Sequence, residues 1–115
     1  MIYLASLYSK GNLEENFKKA EEATAIFLKK GYPVVSPIVH CHRLAVKYNL
    51  PKTFDFWYRF NIDLLSICET LFILTEEGWE ESVGLKAEED YAEENDIPIG
   101  YYTLEEIRGF PEHSR

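Results

Sequence analysis

Basic residues are scarce in this sequence, and so are cysteines and long hydrophobic runs. Lysine and arginine account for 12 of the 115 residues, against 20 aspartates and glutamates, and the formal net charge is −8. Nucleic acids and anionic membrane surfaces are bound through basic faces, so we expect neither as a partner. The longest apolar runs, such as LFIL at 71–74, are far shorter than the roughly 20 residues that cross a bilayer.

The two cysteines favour a reducing compartment. Cys41 and Cys68 could form one bridge at most, so we expect a reduced cytoplasmic protein. The first four residues, MIYL, lack the basic start of a secretory signal peptide and are too few for its apolar stretch. We therefore expect no signal peptide at this end of the sequence.

Common metal and cofactor motifs are also absent. The sequence has no G-x-G-x-x-G, no P-loop lysine motif, no H-E-x-x-H and no C-x-x-C. His40, Cys41 and His42 are consecutive, and side chains at three consecutive positions fan out and rarely close around one ion. We therefore expect neither a metal nor an organic cofactor.

What the sequence does contain is a regular alternation of strand and helix patterns. Short apolar runs rich in strand formers predict strands over 2–6, 33–36, 71–75 and 97–102. Apolar residues at helical spacing, with capping residues before them, predict helices over 12–30, 39–48, 54–67, 82–95 and from 103 onward. The length and the 46% of hydrophobic residues suit a single domain over 1–115, and we expect its tail to be flexible from about residue 109.

This alternation predicts an α/β fold with a parallel sheet of four to five strands, covered by helices on both faces. The first strand is expected in the interior of the sheet, with right-handed crossovers on both sides of it. Ligands of such sheets bind at the carboxyl ends of the strands. The predicted ligand region therefore consists of the loops 6–11, 36–42 and 75–82.

These loops carry motifs that recur together in one known superfamily. In chain order they are Ile2-Tyr3-Leu4-Ala5-Ser6-x-Tyr8-Ser9, Ser36-Pro37-Ile38-x-His40, Gly78-Trp79-x-x-Ser82-x-Gly84-x-x-x-Glu88-x-x-x-Ala92 and Ile97-Pro98. The set resembles the nucleoside 2-deoxyribosyltransferase superfamily, in particular its small bacterial and phage members with no settled activity. The resemblance covers most of the chain and implies a flavodoxin-like three-layer domain. It also implies a homodimer or larger homo-oligomer, because members of the superfamily complete their sites across a subunit interface.

The chemistry that this resemblance implies is cleavage of the N-glycosidic bond of a 2′-deoxynucleoside or its 5′-monophosphate, with water or a second base as acceptor. Glu88 matches the nucleophile that attacks the anomeric carbon, and Tyr3 matches the tyrosine beside it. Gly84, Glu88 and Ala92 share one helix face, and the glycine leaves room for a sugar one turn before the carboxylate. The alternative is that Glu88 is one solvated acid among the ten within 76–96.

The same resemblance implies further substrate contacts. Ser82 matches a serine of phosphate-using members, and it is also a good helix N-cap; the two roles are compatible. His40 matches the loop that covers the base, Trp79 is a candidate for the pocket wall, and Trp57 is expected in the core. Three small residues at the predicted loops complete the expected substrate-binding set: Ser6, Ser36 and Gly84.

Two departures from the superfamily pattern affect the interpretation. Asn61 stands where the superfamily has a proton-donating aspartate, and an amide cannot donate a carboxylic proton. Asp63 lies about 200° around the helix from Asn61. A local shift could bring Asp63 into the site as the acid; otherwise acid catalysis is lost, or the substrate supplies it. The acidic residues within 76–81 also disfavour a phosphorylated ligand. The alternatives to an enzyme are a non-catalytic binder of a nucleotide or nucleotide-derived signal, and a structural protein that has lost its function.

Overall fold

The computed structural model describes residues 1–113. Strands and helices alternate through most of the chain, as the sequence pattern predicts. The strands are β1 (Ile2–Ala5), β2 (Val34–Val35), β3 (Thr70–Leu74) and β4 (Ile99–Tyr102). The helices are α1 (Leu13–Lys29), α2 (Pro37–Lys47), α3 (Phe54–Ser66), α4 (Val83–Glu94) and α5 (Leu104–Arg108), and one 3₁₀ turn covers Trp79–Glu81.

The four strands form one parallel sheet in the order β2-β1-β3-β4. Tyr3 of β1 is in register with Val35 on one side and with Leu71 on the other, and Leu71 is in register with Ile99. The predicted α/β class, the parallel sheet of four strands and the interior position of the first strand are therefore confirmed. The arrangement is compatible with a single flavodoxin-like three-layer domain.

Alternate side chains of the strands enter two separate cores. On the face covered by α3 and α4, Tyr3 packs in a buried cluster that includes Leu65 and Leu85. On the opposite face, Leu4 packs in a cluster with Phe27 of α1 and Ile107 of α5. Because successive strand residues point to opposite faces, Tyr3 faces α4 while its neighbour Leu4 faces α1.

Local side-chain chemistry explains where several elements begin. The Asn12, Ser36 and Ser82 side chains each accept a hydrogen bond from a backbone N–H in the first turn of α1, α2 and α4. Such caps satisfy donors that a helix start leaves free. The prediction that the second helix begins at residue 39 is wrong, because α2 begins half a turn earlier, at Pro37. Pro37 directly follows the cap, and its fixed φ suits the first helical position.

The last described residues lie against the body of the domain. The ring of Phe110 is 5.1 Å from that of Phe27. The Tyr32 hydroxyl donates to the Pro111 carbonyl at 2.9 Å, and the His113 N–H donates to the Lys30 carbonyl at 2.9 Å. These contacts connect 109–113 to the end of α1, while the flexibility expected from residue 109 stays a prediction. Residues 114 and 115 lie outside the described part.

No helix within residues 1–113 combines the length and the apolar character that crossing a membrane requires.

Candidate functional site

A cavity of about 80 Å³ lies beyond the carboxyl end of β1, between α2, α3 and the start of α4. Its volume is several times what a single bound water occupies. The loop after β1, the start of α2, one face of α3 and the first two turns of α4 supply its lining. The lining residues are Ser6, Tyr8, Ser9, Pro37, Ile38, Cys41, Thr53, Phe54, Trp57, Asn61, Ser82, Gly84, Leu85 and Glu88. This is the edge of the sheet at which ligands of parallel α/β folds bind.

Glu88 and Tyr3 form a buried pair in the cavity wall. Tyr3 is fully buried in β1, and Glu88 on α4 is only 6% exposed. The Tyr3 hydroxyl donates a hydrogen bond to Oε2 of Glu88. Glu88 is thus not one of the solvated acids of its segment, and it lies on the inner face of α4 with Leu85 and Ala92.

Burial controls the protonation of this pair. Removal from water raises the pKa of Glu88 to about 7, and the hydrogen bond from Tyr3 partly opposes that rise. Burial also raises the pKa of Tyr3 well above its ordinary value, and the neighbouring Glu88 charge raises it further. Tyr3 therefore keeps its proton and acts as a donor, whereas Glu88 changes charge near neutral pH.

Two polar atoms of the cavity lining have no hydrogen-bond partner among the described residues. They are Oγ of Ser6, in a residue that is 7% exposed, and Oδ1 of Asn61. Buried polar atoms are nearly always hydrogen-bonded. Together with the Glu88 carboxylate, they give the cavity a set of polar groups that a small polar molecule could satisfy.

The start of α4 forms another side of the cavity. Ser82 accepts from the Leu85 N–H at 3.2 Å, so it caps the helix while it also lines the cavity. A Cβ atom built at Gly84 would be 3.5 Å from the Phe54 ring, an ordinary contact. Packing and backbone geometry therefore do not demand glycine at position 84, and its effect is to leave the space beside Phe54 open.

The acidic loop before α4 does not line the cavity. The Glu76 side chain is buried on the other side, 3.6 Å from Lys19 of α1. Burial raises the pKa of Glu76, and Lys19 opposes the rise. Glu80 and Glu81 are exposed. None of these acidic side chains lines the cavity, while their effect on a phosphate at the start of α4 stays a prediction.

Four of the residues predicted for the site lie away from the cavity lining. Asp63 is exposed and pairs with Arg59 at 3.3 Å on the outer face of α3, so no local shift brings it inward. His40 is exposed on α2 and stacks on Phe60. Two others have structural contacts instead: Trp79 packs against Tyr101 and the core, and Ser36 is the buried cap of α2.

The other predicted residues do come together. Glu88, Asn61, Ser6, Ser82 and Gly84 line one cavity, with Tyr3 directly behind Glu88. Their grouping follows from the parallel sheet, which brings the end of β1 and the start of α4 to the same edge.

Sequence reasoning missed several lining residues. Phe54 and Trp57 share α3 with the predicted Asn61 at i, i+3 and i+7, and this spacing places all three on one helix face. Trp57 was expected in the core, but it lines the cavity and its Nε1–H donates to the Pro51 carbonyl at 2.7 Å. Tyr8 is part of the first motif, although the resemblance assigns no role to it, and it too lines the cavity.

Metal binding has no support in the geometry of the described part. Within residues 1–113, no three or more histidine, cysteine, aspartate or glutamate side chains are grouped so that they could hold an ion. Cys41 lines the cavity, and burial raises the pKa of its thiol to about 11, which keeps it protonated. Its protonated state makes Cys41 a poor nucleophile and a poor metal ligand at neutral pH.

The raised pKa of Glu88 predicts a pH-dependent stability difference between the wild type and Glu88→Gln. Folding raises this pKa from an ordinary 4.5 to about 7, so the folded state binds the proton more tightly. The stability of the wild type therefore falls as pH rises from about 4.5 to about 7. Such a shift corresponds to about 3 kcal/mol, and glutamine does not titrate.

Urea unfolding at pH 5 and pH 8 measures this difference. We subtract the free energy of unfolding of the wild type from that of Glu88→Gln at each pH. From pH 5 to pH 8 we expect this difference to increase by about 3 kcal/mol in favour of the variant. Glu93→Gln, on the exposed side of the same helix, is the matched control and should show a much smaller change. If Glu88→Gln and the wild type differ in free energy of unfolding by the same amount at pH 5 and at pH 8, the burial of an ionisable carboxylate at position 88 is contradicted.

Comparison with known proteins places the chain in a family but attaches no activity to it. No curated protein matches the sequence. One family model matches residues 1–104, which is most of the chain. The chain therefore belongs to the family described as "Domain of unknown function (DUF1937)".

Proposed function

We propose that this protein cleaves the N-glycosidic bond of a 2′-deoxynucleoside or its 5′-monophosphate, with Glu88 as the nucleophile. The observation that carries the proposal is the buried Glu88–Tyr3 pair in the wall of a polar cavity at the ligand-binding edge of the sheet. The motif resemblance supports the same reaction, because the two residues it assigns to the nucleophile and its neighbour are in contact.

The reaction would take place in two steps at the anomeric carbon. An oxygen of Glu88 attacks C1′ while the bond from C1′ to the base nitrogen breaks, which leaves a covalent ester between the sugar and the protein. Water or a second base then attacks C1′ and releases Glu88. The covalent route of glycosidases uses one carboxylate as nucleophile and a second as acid. Since Glu88 is the one carboxylate in the cavity lining of the described residues, the departing base has to obtain its proton from another group.

Tyr3 supports the charge of Glu88 before the attack. A carboxylate buried to this extent is unstable unless it is hydrogen-bonded, and the Tyr3 hydroxyl supplies such a bond. The same bond fixes the orientation of the carboxylate. Pre-orientation of the attacking group lowers the entropic part of the barrier.

The start of α4 supports binding of a 5′-phosphate. α4 runs for 12 residues, and three residues at its start, Ser82, Gly84 and Leu85, line the cavity. Helix N-termini bind anions through their backbone N–H groups. Glu76 faces Lys19 rather than the cavity, so this carboxylate is not directed at a phosphate there.

A non-catalytic nucleotide-binding role is the second candidate, and Asn61 favours it. This amide occupies the place where an acid would protonate the departing base, and Asp63 faces solvent. The unpartnered Oδ1 of Asn61 suits a hydrogen bond with a base edge. Release of free base separates the enzyme from the binder.

A homodimer or larger homo-oligomer in the cytoplasm is part of the same proposal. Leu44 and Val46 on α2 and Phe56 and Phe60 on α3 are 40–52% exposed. Exposed apolar side chains of this kind are available to an interface between subunits. Cys41 and Cys68 are free thiols, which fits a reducing compartment.

The first test is base release by the wild type and Glu88→Gln. We expect the wild type to release free base from at least one of the four common 2′-deoxynucleosides or their 5′-monophosphates, as followed by chromatography. Glu88→Gln keeps the size of the side chain but cannot form the ester, so its release should fall to the rate without protein. Glu93→Gln serves as the control and should behave like the wild type; full activity of Glu88→Gln would remove Glu88 from the mechanism.

The second test concerns Ser82 and the phosphate. Aspartate and asparagine both cap helices well, so Ser82→Asp and Ser82→Asn differ mainly in charge. We expect Ser82→Asp to bind 2′-deoxynucleoside 5′-monophosphates at least about tenfold more weakly than Ser82→Asn, because like charges repel. Nucleoside binding should differ little between the two variants, as measured by calorimetry. Equal weakening of nucleoside and monophosphate would place the phosphate elsewhere.

A further inference from the structure

We propose that Tyr8, His42 and Glu14 form a proton relay that gives the departing base the proton that Asn61 cannot donate. The relay rests on the proposed function, since it assigns the general acid of that same reaction. Tyr8 belongs to the first motif but has no role assigned by the resemblance, and neither His42 nor Glu14 is part of the motif set; the hydrogen bonds between the three carry the inference.

The three side chains connect the cavity with solvent. Tyr8 lines the cavity, and its hydroxyl oxygen is 2.8 Å from Nδ1 of His42. Nε2 of His42 is 3.0 Å from Oε1 of Glu14. His42 is 3% exposed, whereas the Glu14 side chain is 64% exposed. Two hydrogen bonds therefore join the exposed Glu14 carboxylate to Tyr8, a residue of the cavity lining.

The surrounding residues hold the relay in place. The buried Asn16 side chain donates from Nδ2 to the backbone carbonyls of Tyr8 at 2.9 Å and of Lys10 at 2.7 Å, which fixes the loop that carries Tyr8. The ring of His42 lies against Phe17, with the ring centres 4.6 Å apart. Such support by neighbouring groups is what keeps catalytic side chains in a productive position.

The hydrogen-bond partners suit a protonated His42. The imidazolium form has an N–H on both ring nitrogens, and here one nitrogen faces the Glu14 carboxylate and the other the Tyr8 oxygen. In this form Tyr8 accepts from Nδ1–H, so His42 does not take up the Tyr8 O–H. The other charged side chains around His42 come from α1 and α2: Lys18, Glu21, Arg43 and Lys47.

The proton transfers balance over both steps of the reaction. When the bond from C1′ to the base breaks, its electron pair goes to the base nitrogen, which takes the proton of the Tyr8 hydroxyl. Tyr8 takes the Nδ1 proton of His42 at the same time, and His42 becomes neutral with Nε2–H donating to Glu14. When water attacks C1′ and releases Glu88, its proton returns through Tyr8 to His42.

Tyr8 needs His42 to act as an acid. Burial raises the pKa of the Tyr8 hydroxyl, and nearby Cys41 and Glu14 raise it further. Loss of its proton alone would leave an unfavourable phenolate in the cavity. Transfer from His42 in the same step keeps Tyr8 neutral, which removes that cost.

A pair of substrates with different leaving groups tests the relay. The base of 2′-deoxyguanosine needs a proton as it leaves, whereas that of 7-methyl-2′-deoxyguanosine already carries a positive charge and leaves neutral. We expect Tyr8→Phe to slow cleavage of the first substrate by about 10²–10⁴-fold and to slow cleavage of the second far less. Both substrates are also to be offered as 5′-monophosphates.

Two further variants make the test specific. Tyr48→Phe removes a hydroxyl at an exposed site on the end of α2 and should change neither rate. Glu14→Gln acts on a positioning residue at the protein surface, so the fold is expected to survive. It should lower kcat on 2′-deoxyguanosine, leave KM similar, and affect the 7-methyl substrate little.

The possible outcomes separate a failure of the relay alone from a failure of the proposed reaction. Equal losses on both substrates in Tyr8→Phe and Glu14→Gln would overturn the relay while the nucleophilic role of Glu88 stands. If the wild type releases base neither from the 7-methyl substrate nor from any of the four common 2′-deoxynucleosides, in either form, the proposed function fails and the relay fails with it. Wild-type rates of both variants on 2′-deoxyguanosine would also overturn the relay.

Discussion

The hydrogen bond between Tyr3 and Glu88 is the interaction on which the rest of the site depends. It joins the first strand to α4 across 85 positions of sequence. A carboxylate this deeply buried is costly to ionise, and its pKa rises to about 7 as a result. The stability of the fold therefore does not explain the pair, because an apolar residue at position 88 would pack in the same core at lower cost.

The fold explains how the pair forms next to an open space. A parallel sheet with β1 in its interior brings the loop after β1 and the start of α4 to the same edge. Alternation along β1 turns Tyr3 toward α4 and Leu4 toward α1. Ser82 fixes the start of α4, and the helical repeat then places Glu88 on the inner face, one turn after Gly84.

The sequence predicted the parts of the structure that local chemistry determines. Caps such as Asn12 and Ser82, and the alternation of strand and helix patterns, act over a few residues and were read correctly. The directions of single side chains depend on tertiary packing. His40 points outward, whereas its neighbours Ile38, Cys41 and His42 are among the buried residues of α2, and no local pattern indicated which of them would face the core.

Tertiary packing also decides the positions of the residues that the sequence placed wrongly or gave no role. Trp79 turned toward Tyr101 of β4, a partner far along the chain, and Trp57 turned toward the cavity instead of the core. The hydrogen bonds of His42 with Tyr8 and Glu14 join three separate segments, so no spacing rule predicts them. The topology of the sheet predicts where the cavity lies, but the sequence predicts only some of the residues that line it.

The most direct measurement is the mass of the protein after it has been mixed with a cleavable 2′-deoxynucleoside or 5′-monophosphate and stopped with acid. The account predicts an added mass equal to one deoxyribosyl group, or to its phosphate, on the peptide that contains Glu88. Glu88→Gln should carry no such addition. Base release by the wild type with the added group on another residue, or with the addition still present in Glu88→Gln, would contradict the account.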